Sequence, residues 1–278
     1  ADGMESAAKA LGWKLTRVDL GTSPEQFAAA YDRAIQLKPD MVIGSGLPRD
    51  YFDKELKTLA TMHIPVIEWS SPITVGNGVT WQMTDSPMYE QSGRMLSEFI
   101  AYDGGLKSQA VIYSVQQYTM SMIQTNMMGK YLPKICPGCK ADVQLVPVTD
   151  IGQLGPKVTA YVQAHPKTGY VVCAFGDLCQ GVGRALKDAG YSKVKVITRD
   201  PATTNYQNIH DGLEYATLPL NTGMTGWQIV DAAVRIFTND KAGLALTRLA
   251  PMQVVTKIPN PKSPVIGAVP DYQAQYKK

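Results

Sequence analysis

Residues 1–20 read ADGMESAAKALGWKLTRVDL. Ala1 to Gly12 has the character of a helix and Trp13 to Leu20 that of a strand. The same helix-then-strand unit recurs to about residue 220. In a parallel α/β sheet each helix carries the chain back to the next strand, so the series should begin with a strand. That first strand, and the loop leaving it, are absent from the quoted stretch. The expectation is an α/β chain whose first lobe lacks its first strand, together with a loop of the kind that holds ligands in such folds.

Reading outward, Ser23-Pro24-Glu25-Gln26 is a capping box with proline at the first helical position. Phe27, Ala30, Tyr31, Ala34 and Ile35 follow at helical spacing. Lys38-Pro39-Asp40 ends that helix, and Met41–Gly44 is a continuous apolar run, the mark of a strand covered on both faces. A helix over 49–62, strands over 64–69 and 76–83, and a helix over 86–101 complete the first block. Tyr102-Asp103-Gly104-Gly105 breaks the rhythm and suggests a crossing between lobes. The second block has strands at 110–115, 143–148, 170–174 and 194–198, with helices at 118–135, after Asp150, at 178–189 and near 205–210. An extended piece at 215–218 and a long apolar-striped helix through Trp227, Val230, Ala233, Val234 and Phe237 follow. Two blocks of similar rhythm predict two doubly wound, Rossmann-like lobes.

Composition narrows the function class. A chain of 278 residues has room for one large or two medium domains, and its apolar fraction of 45% is that of a folded protein. The net charge of +3 is too weak and too evenly spread for a nucleic-acid surface. No stretch approaches the roughly 20 apolar residues of a membrane span.

The four cysteines say more. Cys136-Pro-Gly-Cys139 is a tight pair, Cys173 lies in an apolar strand and Cys179 follows it. Structural disulfides 136/139 and 173/179 are the leading reading, and they point to an exported protein. A zinc site would want a second close pair, and a redox CxxC would want its first cysteine at a helix N-terminus, so both remain as lesser alternatives.

In doubly wound sheets ligands gather beyond the carboxyl ends of the strands. Those ends carry Gly44-Ser45-Gly46, Trp69-Ser70-Ser71, Ser114 to Tyr118 with Gln117, Phe175-Gly176-Asp177 and Arg199-Asp200. Aromatic faces and a carboxylate suit a small ligand with hydroxyl or amide groups. Each aromatic could equally be core packing, and Asp200 could instead cap the helix after Pro201. No GxSxG elbow, P-loop or HExxH is present, and His63, His165 and His210 lie apart. The sequence thus offers no catalytic group and implies no metal or cofactor.

The order Gly3…Ala7-Ala8-Lys9…Gly12-Trp13, Ser23-Pro24-Glu25-Gln26, Lys38-Pro39-Asp40 and Ile64-Pro65-Val66-Ile67 resembles the type I periplasmic binding proteins, in particular the ribose-binding-like group serving sugar ABC importers. Phe175-Gly176-Asp177…Gly181…Arg184-Ala185-Leu186…Ala189-Gly190, Arg199-Asp200 and Ala216-Thr217-Leu218 agree with it. The pattern is one of many weak matches along nearly the whole chain, shared with the effector domains of LacI-type regulators. The resemblance implies a Venus-flytrap with crossings near 103–107, 221–223 and 251–254. The lobes would then be 1–104 plus 222–252, and 105–221 plus 253–278. It places the family's ligand carboxylate on Asp200. Other family positions depart: the usual Asp-Arg pair falls on Ser70-Ser71, an arginine on Asn126, an asparagine on Phe175, and the polar residue of the second crossing on Leu220, beside Asn221.

The implied function is a non-enzymatic, monomeric solute-binding protein, in the periplasm or as a cell-surface lipoprotein, that hands a small molecule to an ABC permease. Fewer charged groups and the added Trp69 and Phe175 suggest a modified sugar, a polyol or a less polar cyclic or aromatic compound. The alternative is the effector domain of a LacI-type transcriptional regulator.

Overall fold

Two parallel sheets organise the computed structural model, which describes residues 2–21, 24–45, 48–247, 252–262 and 271–277. The chain divides into two units, Ala1–Met88 with Thr222–Ala250 and Ala268–Lys278, and Tyr89–Asn221 with Pro251–Gly267.

In the first unit α1 (Asp2–Ala10) and α2 (Pro24–Leu37) precede β1 (Val42–Ser45), α3 (Asp53–Thr61), β2 (Val66–Trp69) and β3 (Trp81–Met83). The strands pair in parallel in the order β1-β2-β3, with Gly44, Glu68 and Gln82 in register across them. The apolar residues at 42–44 and 66–67 are covered on both faces, as continuous hydrophobicity requires. Val42 and Val66 pack with Tyr31 of α2 and with Leu56 and Leu59 of α3. Both leucines are wholly buried, each contributing about 1.5–3 kcal/mol.

In the second unit α4 (Ser86–Gly104) leads into β4 (Gln109–Val115), α5 (Thr119–Ile135), β5 (Lys140–Val146), α6 (Gly155–Ala164), β6 (Tyr170–Cys173), α7 (Val182–Asp188), β7 (Lys195–Arg199), α8 (Thr203–His210) and β8 (Ala216–Leu218). The parallel order is β5-β4-β6-β7-β8. Alternate β4 residues serve two cores: Val111, Tyr113 and Val115 on one face, Ala110 and Ile112 on the other with Leu96, Ile100, Met128 and Leu132. At the amino ends of the strands, Asp103 of α4 accepts hydrogen bonds of 2.6 Å from Tyr170, Tyr215 and Lys195. The chain then returns to the first unit as α9 (Thr222–Phe237) and α10 (Lys241–Leu246), and again, after Pro251–Gly267 of the second unit, as α11 (Tyr272–Tyr276). Ile229, Ala232 and Ala233 of α9 cover Ile67 and Met83 on the sheet face opposite α2.

Both cysteine pairs are bonded, Cys136–Cys139 and Cys173–Cys179, with Cα–Cα separations of 5.3 and 5.6 Å. All four are buried.

Several sequence expectations need correction. Trp13–Leu20 forms no strand: among the described residues 14–20 have no backbone hydrogen-bond partner, and they line, with β1, a cavity of about 1020 Å³. A strand exists only where a neighbour lies within about 4.8 Å. The first unit boundary falls at Met88/Tyr89 rather than near 103–107, because α4 packs Leu96 and Ile100 onto the second sheet. The tail 268–278 goes with the first unit rather than the second. The strand expected at 143–148 runs from Lys140 to Val146. Asp150 does not cap α6, which starts at Gly155; its carboxylate pairs with Lys157 at 2.5 Å. The helix expected over 178–189 is a 3-10 turn at Gly176–Cys179 followed by α7. Ser23 and Gly46 lie outside the described residues.

Candidate ligand-binding site

The carboxyl ends of the second sheet bring several of the expected residues together. Tyr118, ending the loop after β4, and Phe175, two residues beyond β6, place their rings 5.5 Å apart at 46°. Phe175 is half-buried, and Tyr118 is 43% exposed, so part of this aromatic surface is open. The next residue, Gly176, donates its N–H to the Asp200 carbonyl at 3.1 Å. A side chain at Gly176 would run into the Ala202 amide and the Asn205 amide oxygen. The Asp200 backbone is therefore tied to the residue after Phe175, because the loops leaving the neighbouring strands β6 and β7 interlock.

Asp200 has a left-handed backbone, φ +45°, which is uncommon for a residue with a side chain. Ser70, just after β2, and Thr84, just after β3, share it at φ +54°. Strain of this kind, of order 1–3 kcal/mol, clusters at functional sites.

The Asp200 carboxylate has two distinct oxygens. Oδ2 accepts a hydrogen bond from Arg199 Nη1, while Oδ1 is buried and accepts none. Burial pushes the carboxyl up, opposed by the Arg199 guanidinium and the Leu220 amide. Arg199 is only 2% exposed, lies 3.9 Å from the centre of the Tyr89 ring and donates from Nε to Ser92 Oγ at 3.3 Å. The alternative reading of Asp200 as a helix cap is not realised: the N-cap of α8 is Ala202, whose N–H donates to Asn205 Oδ1 at 2.8 Å.

The remaining expected residues fall elsewhere. Gln117 is exposed in the loop after β4, and Asn126 is exposed on α5. The buried polar side chains of that helix are its neighbours Gln124 and Thr125, which have unpartnered polar atoms. Leu220 is buried and Asn221 half-buried, just before α9. In the first unit Trp69 ends β2, half-buried against the cluster of Ile67, Met83, Ile229, Ala232 and Ala233, with its indole N–H buried and unpartnered. Ser70 donates its N–H to the Met83 carbonyl at 3.1 Å, and buried Ser71 accepts from the Ile73 amide at 3.2 Å. Ser71 thus holds its own loop.

Two buried carboxyls escaped the sequence reading. Glu68, wholly buried on β2, accepts from the Tyr31 hydroxyl at 2.6 Å and is pushed up to about 7 by burial. Glu214 is held by Asn205 and Asn208 at 2.9 and 2.7 Å, and burial likewise pushes it up to about 7. The signal for Glu68 was a glutamate inside a run otherwise apolar on both faces. Among the described residues no cluster of three or more His, Cys, Asp or Glu is placed to hold a metal ion. Among them, too, no helix is long and apolar enough to cross a membrane.

Residues 1–241 match the family described as periplasmic binding protein domain. The chain belongs to that family. Its members are solute-binding proteins, and this periplasmic binding protein shares their α/β architecture of two parallel sheets. No curated protein matches the sequence. Among solved structures, a glucose-galactose binding protein from Geobacillus stearothermophilus superposes with a TM-score of 0.75 at 16% identity, over 95% of this chain and 92% of the other. A 5-methylthioribose transporter solute-binding protein from Thermotoga lettingae, in complex with 5-methylthioribose, gives 0.75 at 19%, over 91% and 80%. A protein described as a putative LacI transcriptional regulator from Bacteroides fragilis gives 0.73 at 14%, over 92% and 90%. At these identities the likeness is one of fold.

Proposed function

We propose that this periplasmic binding protein is a non-enzymatic receptor that captures a small hydroxyl-bearing ring compound with an apolar face and delivers it to an ABC importer outside the cytoplasm. The observation that carries the reading is Asp200 Oδ1, a buried acceptor without a donor, on the residue whose carbonyl takes the N–H of Gly176, the neighbour of Phe175 in the Tyr118–Phe175 pair. An unmet buried acceptor costs about 1–3 kcal/mol, which a ligand hydroxyl would relieve. The rings would cover the ligand's apolar face. Gln117, Asn126, Leu220 and Asn221 of the same unit are proposed as further contacts.

The 5-methylthioribose held by one structural neighbour is a ligand of this chemical kind. The two disulfides favour an oxidising compartment, and hence transport over the cytosolic role of a LacI-type regulator. A thermal-shift screen across pentoses, hexoses, polyols, 5-methylthioribose and small aromatic acids tests the proposal. A ligand at a hundred times its Kd adds about 2.7 kcal/mol of stability. Tight calorimetric binding of unmodified ribose, glucose or galactose would overturn the apolar-face element, and silence from every class would count against solute binding.

A further inference from the structure

Asn205, wholly buried on α8, spends its entire amide on joining two loops. Its Oδ1 accepts the Ala202 N–H at 2.8 Å. Its Nδ2 donates to the Gly176 carbonyl at 3.2 Å and to Glu214 Oε1 at 2.9 Å. Ala202 lies two residues after Asp200, and Gly176 one residue after Phe175. Glu214, just ahead of β8, is itself held by Asn208 at 2.7 Å. One side chain thus reaches segments flanking three successive strands of the sheet, β6, β7 and β8.

The residue type makes this possible. The third residue past an N-cap commonly reaches back to the N-cap N–H, and glutamate or glutamine is usual there. Asparagine brings one acceptor and two donors. The Ala202 N–H requires an oxygen, which fixes the amide's orientation and leaves both donors for Gly176 and Glu214. A carboxylate at this position could take the Ala202 bond but would have nothing to donate to Gly176.

The loop after β6 is also fixed covalently. The Cys173–Cys179 bond spans Phe175 and Gly176, and both cysteines are wholly buried. Gly176 in turn donates its N–H to the Asp200 carbonyl at 3.1 Å. Phe175 is thus held between a covalent staple and the two hydrogen bonds of Gly176.

We propose that Asn205 is a positioning residue that, with the Cys173–Cys179 bond, fixes Phe175 and Asp200 relative to one another, so that an aromatic face and a carboxylate act as one recognition unit. This rests on the reading of Phe175 and Asp200 as ligand groups given above. Asn205 has no exposed surface and acts through the two loops.

Two experiments test it. The first uses no ligand: hydrogen exchange is read at Gly176 and Ala202, and nuclear Overhauser contacts between the Tyr118 and Phe175 rings. Asn205→Ala should speed exchange at both amides at least about tenfold relative to the Val172 amide of β6, and weaken the ring contacts. Asn205→Asp combined with Glu214→Gln keeps an acceptor for Ala202 without setting two carboxylates together. It should keep Ala202 protected and leave Gly176 exposed to exchange; if Asn205→Ala does not fold, this pair decides. Cys136→Ser with Cys139→Ser, in the other core, should lower Tm and change none of these signals. Unchanged exchange at Gly176 in the Asn205 variants, or the same changes in the cysteine control, overturns the proposal.

The second is calorimetry with 5-methylthioribose as the probe. Asn205→Ala should weaken binding at least about tenfold in the otherwise native chain, and less than about threefold where Phe175 is already alanine. Equal losses in the two backgrounds overturn the proposal. Full affinity in Phe175→Ala, with loop protection still lost in Asn205→Ala, marks failure of the ligand reading and leaves the positioning role standing. If the native chain does not bind this probe, the ligand-free experiment decides.

Discussion

The Tyr31 hydroxyl reaches the Glu68 carboxylate at 2.6 Å by passing over Gly44, the β1 residue in register with Glu68. A Cβ on Gly44 would fall inside van der Waals contact of both groups. Gly44→Ala should therefore destabilise the first unit by about 1–3 kcal/mol, the usual cost of overpacking. Urea denaturation checks this, and Tyr31→Phe in the same background should recover part of the loss.

Glu68 and Glu214 make stability depend on pH. Each is pushed by burial to about 7 in the fold, above the 4.5 of an exposed glutamate. Between those values the folded state binds more protons than the unfolded one. The stability they contribute is complete below pH 4.5 and is lost as pH rises through 7. The loss is of the order of 3 kcal/mol per group. Denaturation midpoints should fall from pH 5 to pH 8, and Glu68→Gln, which keeps an acceptor for Tyr31, should flatten the slope by about half.

At the proposed ligand site Asp200→Asn replaces the charged acceptor with a neutral amide. Affinity for the ligand found by screening should fall by about 1.5–3 kcal/mol, or roughly ten- to a hundredfold, in calorimetry. Phe175→Ala should also weaken binding, most for ligands with the larger apolar face. Equal affinity in both variants would place the ligand elsewhere.

The two disulfides close very short loops, with sequence separations of 3 and 6. Chain entropy gives about 2 kcal/mol for each. Reduction, or the paired Cys→Ser variants at 136/139 and at 173/179, should lower Tm additively, since the two lie in different cores.

Fold class was legible in the sequence because periodicity reports burial. The continuous apolar runs at Met41–Gly44 and Tyr170–Ala174 had to be covered strands, and the stripe from Trp227 to Phe237 had to be a covering helix. Trp13–Leu20 misled because strand character in a sequence says nothing of whether a partner lies alongside. That Tyr118, Phe175 and Asp200 lie at one end of the second sheet was legible because the carboxyl ends of adjacent strands converge by topology. Arg199 was read only as a strand end. Its contact with Tyr89 depends on how α4 crosses the sheet, which no local pattern encodes. The pairing of Glu68 with Tyr31 was hidden for the same reason: the two are 37 residues apart and meet only across β1.

Strand β7 opens with Lys195, tied to Asp103, and closes with Arg199, tied to Asp200. The two ion pairs stand at opposite ends of five residues, about 15 Å apart. One end secures the architecture through Asp103 and its two tyrosines; the other carries the groups proposed above for recognition. On the proposed reading, residues around Asp200 can be exchanged over evolutionary time or by design without loosening the Asp103 anchor at the other end.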